Sequence, residues 1–148
     1  MNHGLILPIL LPAVVGALLV LAARHDRVLA RVFGVASCVL LLLIALALLA
    51  TASDGAIRSY ALGAWPAPFG IVLVLDRLSA MMLVLTAVLG LGVLLHAING
   101  WDERGKHFHP LFQFQLMGIN GAFLTGDFFN LFVFFEILLI ASYGLMVH

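Results

Sequence analysis

Charge is what this chain has least of. Only 9% of its 148 residues are Asp, Glu, Lys or Arg, against roughly 25% in a soluble domain. That excludes a soluble globular fold, because there is too little polar surface to cover a core. With 64% hydrophobic residues and a mean hydropathy of +1.20, the chain is an integral membrane protein. Net charge is zero, and no basic run or acidic tail offers a footing for nucleic acid. Cysteine is nearly absent. Cys38 alone cannot close an intrachain disulfide, and inside an apolar run it reads as a small core residue. No Cys/His group has metal-ligand spacing: His107 and His109 stand two apart in a polar stretch and read as a solvated or interfacial pair. No phosphate loop, nucleophile constellation or haem ligand pair is present, so no cofactor is implied and nothing in the residues alone says enzyme. The N-terminal Met-Asn-His lacks the basic residues of a signal peptide, and the apolar run that follows is too long for a signal core.

What is there is long apolar runs, and they define an all-α, polytopic transmembrane bundle. Five spans are expected, at residues 4–23, 32–50, 78–98, 110–126 and 128–148, forming a single unit. Residues 24–31 make a short basic connector. The long connector, 51–77, carries turn residues around Ser53, Asp54 and Gly55 and again around Trp65, Pro66 and Pro68. Within it, IVLVL at 71–75 is β-capable, and Asp76-Arg77 marks the outer edge of the third span as a candidate ion pair. Arg24, Arg27, Arg31, Arg104 and Lys106 fall on one side of these spans; Arg58 and Arg77 fall on the other, beside Asp54 and Asp76. The positive-inside rule therefore puts the N-terminus outside.

One charge breaks the rule of absence. Glu136 is the only acidic or basic group in residues 128–148 apart from the terminal histidine. It lies nine residues beyond Asp127, so about 13 Å along a helix, near the middle of a hydrocarbon slab about 30 Å thick. A carboxylate there costs several kcal/mol unless it is paired or protonated, so it is read first as functional and second as a clamp between helices. Helical spacing surrounds it with Phe129, Phe132, Val133, Leu139 and Ile140, with Tyr143 two turns further on. Gln113, Asn120 and Asp127 recur every seven residues as a polar stripe, which suits either a hydrated track or inter-helix hydrogen bonds. Asp127 is most simply the cap of the fifth helix. Gly118, Gly121, Ala122 and Gly126 on the fourth helix, and Ser79, Thr86 and Gly90 on the third, are small residues that let helices approach closely.

The string FQFQLMGINGAFLTGDFFNLFVFFEILLIASY, residues 112–143, resembles the antiporter-like family. That family comprises the D subunits of the Mrp (Mnh, Pha) multisubunit Na⁺/H⁺ antiporters and the L, M and N subunits of respiratory complex I. GAWPAPFGIVLVLDRLSA at 63–80 and the form LTGDFFNLFVFFE resemble the Mrp D subunits in particular. The resemblance implies a parent of about fourteen helices in a bacterial cell (inner) membrane. This chain would be its N-terminal, five-span portion, truncated at its C-terminal end, with the partner lysines and broken helices beyond residue 148. It implies hetero-oligomeric partner subunits and exchange of Na⁺ or K⁺ for H⁺. It makes Glu136 the position of a proton-relay carboxylate, with Tyr143 and Asn120 as path-lining candidates. The rival readings are a proton-translocating subunit of a complex I-like quinone oxidoreductase and a non-conducting fragment.

Overall fold

The computed structural model describes residues 3–23, 25–66 and 68–147. A 3₁₀ turn, His3–Ile6, leads into α1 (Leu7–Leu21). Then come α2 (Arg27–Ala52), strands β1 (Arg58–Ala61) and β2 (Val72–Leu75), α3 (Arg77–Ala97), a 3₁₀ turn at Trp101–Arg104, α4 (Phe108–Leu124) and α5 (Phe128–Val147). The chain is a helical membrane bundle. The first span (with its leading turn), α2, α3 and α5 are long and apolar enough to cross a bilayer. α4, with 17 residues, spans about 26 Å, somewhat less than a hydrocarbon slab of about 30 Å.

α4 is the hub. It packs most broadly against α5 and α1, while α2 lies along α3. Close approach explains the first pairing. A Cβ at Gly118 would sit 2.9 Å from the backbone nitrogen of Leu138, and one at Gly121 would collide with the ring of Phe134. Side chains larger than hydrogen would push α5 away. The small residues of α3 work similarly: Ser79 and Thr86 are buried, and Gly90 receives Leu116 of α4.

The boundaries differ from the sequence expectation at the charged ends. α2 begins at Arg27, ahead of the apolar run from residue 32, because Asp26 accepts a hydrogen bond from the Leu29 amide (3.1 Å) and caps the first turn. Arg24 of the expected connector lies outside the described residues. The expected strand is present as β2, but paired: β1 and β2 run antiparallel with Ser59 opposite Val74 and Tyr60 opposite Leu73. Asp76 and Arg77 form no ion pair. Asp76 instead makes a capping box with Ser79, and Arg77 donates to the carbonyl of Ser53 (2.6 Å). The amide and hydroxyl of Ser79 hold the Asp76 carboxyl below its ordinary pKa.

The two ends of the bundle have different glue. At one end the hairpin meets the α4–α5 turn, where Gly126 donates its amide to Val72 (2.8 Å) and Leu73 bridges Thr125. The N-terminal turn joins there too, His3 Nδ1 lying 3.0 Å from the Tyr60 hydroxyl. At the other end, Arg31 of α2 reaches Asp102 between α3 and α4.

Candidate functional site

α5 divides into two faces. Asn130, Phe134 and Ala141 are buried, and Phe134 and Leu138 meet the glycines of α4. Glu136 is on the other face, exposed on this five-helix unit, with Phe132 (63% exposed), Ile140 (68%) and Tyr143 (60%) beside it. Val133 and Leu139 are also exposed, as is Phe129. One uncovered helix face thus carries a lone carboxyl amid large hydrophobes, with a hydroxyl two turns on. Among the described residues Glu136 has no hydrogen-bond or ion-pair partner, so its charge is not met within these helices.

The mouth of α5 is fixed by Asp127. Its Oδ1 accepts from the Asn130 amide (2.7 Å) and its Oδ2 from the Asn130 side-chain amide. These bonds to the charged form, the backbone one first, hold the Asp127 carboxyl below its ordinary pKa.

The other polar residues of α4 face away from that surface. Asn120, 1% exposed, donates from Nδ2 to the backbone oxygen of Pro8 (2.9 Å). The reason is local: residue 12 should donate to that oxygen in a helix, but Pro12 has no N–H. Asn120 supplies the missing donor across the α1–α4 interface. Gln113 is likewise buried, accepting from the Ser37 hydroxyl of α2 (3.0 Å). Asn120 and Gln113 therefore share a buried interior side, and Glu136 and Tyr143 share the outer face of α5.

A second polar centre has no signal in the sequence. Asp102, with 1% of its side chain exposed, takes both arms of Arg31: Nε at 2.7 Å and Nη2 at 2.8 Å. Its Oδ2 also lies 3.0 Å from His109 Nε2, and Glu103 stands 3.3 Å from Arg31. The Arg31 guanidinium is the main cause holding the Asp102 carboxyl below its ordinary pKa. The expectation that His107 and His109 form a solvated or interfacial pair is thus corrected for His109, which is buried in the first turn of α4. Opposite charges 71 residues apart in sequence leave no local pattern to read. No group of three His, Cys, Asp or Glu residues among those described could hold a metal.

This is a helical membrane bundle whose tightly packed α4–α5 hairpin presents a lone carboxyl on an outer face. Comparison with known proteins narrows the class. No family model matches the chain. It is 52% identical over its whole length to the D subunit of a probable K⁺/H⁺ antiporter of Rhizobium meliloti, covering 28% of that protein. Against the D subunit of the Na⁺/H⁺ antiporter of Alkalihalophilus pseudofirmus it is 48% identical over 99% of its length, covering 30% of the relative. The structure of an Mrp complex from Dietzia superposes with a TM-score of 0.92 at 34% identity, over 99% of this chain and 28% of the other. An archaeal respiratory complex, the membrane-bound sulfane sulfur reductase, gives 0.84 at 28% identity, over 95% of this chain and 29% of the other. Along its whole length the chain is similar to the D subunits of the Mrp-type antiporters, and it spans about 30% of the relatives it matches.

Proposed function

We propose that this chain is the N-terminal portion of one subunit in a multisubunit Na⁺(K⁺)/H⁺ antiporter, in which Glu136 takes up and releases the transported proton. The single observation that carries this is the lone carboxyl on the uncovered face of α5. Within these helices it has no counter-charge, and its neighbours Phe132, Ile140 and Tyr143 are equally uncovered. A carboxylate surrounded by hydrocarbon is expensive, and protonation or an approaching cation relieves that cost; a group poised between those two states can relay protons. Further helices of the parent subunit and its partner subunits would cover this face and bring the cation. Tyr143, on the same face, is the better candidate to line the path. Asn120 is a weaker one, being occupied with Pro8. The N-terminus lies outside and the arginine-rich end in the cytoplasm of a bacterial cell.

The test uses the uninterrupted subunit in its complex. Glu136→Gln keeps the shape but cannot ionise, so it should abolish cation-dependent proton movement in vesicles while insertion and assembly persist. Glu136→Asp keeps the acid on a shorter stem and should retain part of the activity. Near-normal exchange in the Gln variant would reduce Glu136 to a hydrogen-bonded clamp.

The likeness to an archaeal respiratory complex supports a second reading, a proton-translocating subunit of a membrane oxidoreductase. In that reading the protein does not itself catalyse redox chemistry. Genes for hydrophilic redox subunits beside this one would favour it; genes for other antiporter subunits would favour exchange.

A further inference from the structure

At the arginine-rich end the last turn of α1, the start of α2 and the segment before α4 enclose a cavity of about 280 Å³. That is near the lower end of small-ligand pockets, about 300 Å³. Its floor is apolar: Leu19, Ala23 and Ala30 are all less than a tenth exposed. Its rim is cationic, with Arg27 and Lys106 joined by His25. Among the described residues Asp102 is the only acid lining it, and that carboxylate is already engaged by Arg31 and His109. Neither Arg27 nor Lys106 has an ion-pair partner among the described residues. The nearby acids are otherwise used: Asp26 caps α2, and Glu103 faces Arg31. Trp101, half-exposed with the Arg104 guanidinium 3.9 Å from its ring centroid, is of the type found at the headgroup level of a bilayer.

We propose that this cavity binds the phosphate of an anionic phospholipid. Arg27 and Lys106 would hold the phosphate. One acyl chain would run from the Leu19–Ala23 floor along Val20 and Leu21, which are exposed on α1 (43% and 81%). Free phosphate would use the same cations, but it would gain nothing from an apolar floor that continues onto exposed apolar side chains of α1. The lipid would join α1 to α2 and the α3–α4 segment, beside the Asp102 cluster that ties α2 to that segment.

The test is lipid retention by the complex carrying this chain, purified from membranes and washed in detergent. Bound phosphatidylglycerol and phosphatidylcholine are then quantified by mass spectrometry. Arg27→Gln with Lys106→Gln should lower phosphatidylglycerol affinity by about thirtyfold, and either alone by roughly fivefold. Arg27→Lys with Lys106→Arg should keep it, which separates loss of charge from loss of folding. Arg58→Gln with Arg77→Gln, removing equal charge from the opposite end, should leave retention unchanged. Equal retention in the Arg27/Lys106 Gln pair overturns the site. Equal loss in the Arg58/Arg77 pair also overturns it, because attraction would then be diffuse. A further arm adds inorganic phosphate to lipid-loaded complex: no displacement supports the lipid, and ready displacement at matched concentration overturns the lipid in favour of a soluble anion.

Discussion

Asn120 and Pro12 illustrate how single residues divide structural from functional work. Proline removes one helical hydrogen bond from α1, and an amide on another helix replaces it. Asn120→Ala would strand the Pro8 carbonyl in an apolar interior and should cost about 1–2 kcal/mol of stability. Pro12→Ala restores an N–H where it is needed, so in the double variant the cost of losing Asn120 should shrink. A double-mutant cycle read by detergent unfolding measures that coupling, and additive losses would show that Asn120 acts through some other contact. Asp102 gives a second residue-scale prediction. Its folded pKa is depressed by Arg31, so its stabilisation is full above the unfolded value, about 3.9, and is lost as pH falls through the lower, folded one. Asp102→Asn should therefore destabilise the bundle at neutral pH, by about 2 kcal/mol for the charged hydrogen bonds. The gap to wild type should close as pH is lowered from about 4 through the depressed folded value. A gap that is constant across that range would mean the carboxylate charge contributes nothing.

At the scale of elements, the tightest interface is α4 on α5, and the glycines that permit it stand in the sequence as a small-residue stripe. Gly121→Leu should separate the two helices, since even a Cβ there overlaps Phe134. Gly118→Ala should also be harmful because its Cβ meets backbone, which cannot rotate aside. Loss of assembled complex on size exclusion, with Gly92→Ala as the neutral comparison because nothing lies near its Cβ, checks both. Apolar runs make the helices legible, and IVLVL makes β2 legible. β1 (RSYA) is not, because its apolar residues are too few and its partner, fourteen residues on, supplies the stability. Helix starts are illegible where charged residues lie inside the first turn, as at Arg27, since hydropathy cannot see a cap. The Arg31–Asp102–His109 cluster is invisible for a related reason: its members come from segments that hydropathy marks as exposed. Glu136 is legible because a lone charge in an apolar run stands out wherever the helix faces, but its outward direction requires the packing of α4.

For the whole molecule, the two ends carry opposite fittings, and that asymmetry makes orientation testable. The connectors meeting at Arg31 and Asp102 lie at the same end as Arg27, Arg104 and Lys106. The hairpin end carries Arg58 and Arg77, the first of which is paired with Asp54 (2.6 Å) and the second bonded to the Ser53 carbonyl. The Arg58 guanidinium also holds the Asp54 carboxyl below its ordinary pKa. Uncompensated positive charge is thus concentrated at the first end, and translocation disfavours moving it across the membrane. A reporter fused after Lys106 should read cytoplasmic, and one placed within residues 53–66 should read periplasmic. Replacing Arg27, Arg104 and Lys106 with Gln should weaken that preference, whereas replacing Arg58 and Arg77 should not. Reporters with the opposite labelling would invert the bundle, placing the Asp127 mouth of α5 in the cytoplasm and Tyr143 toward the outside. Glu136 would then have to receive its proton from the other end.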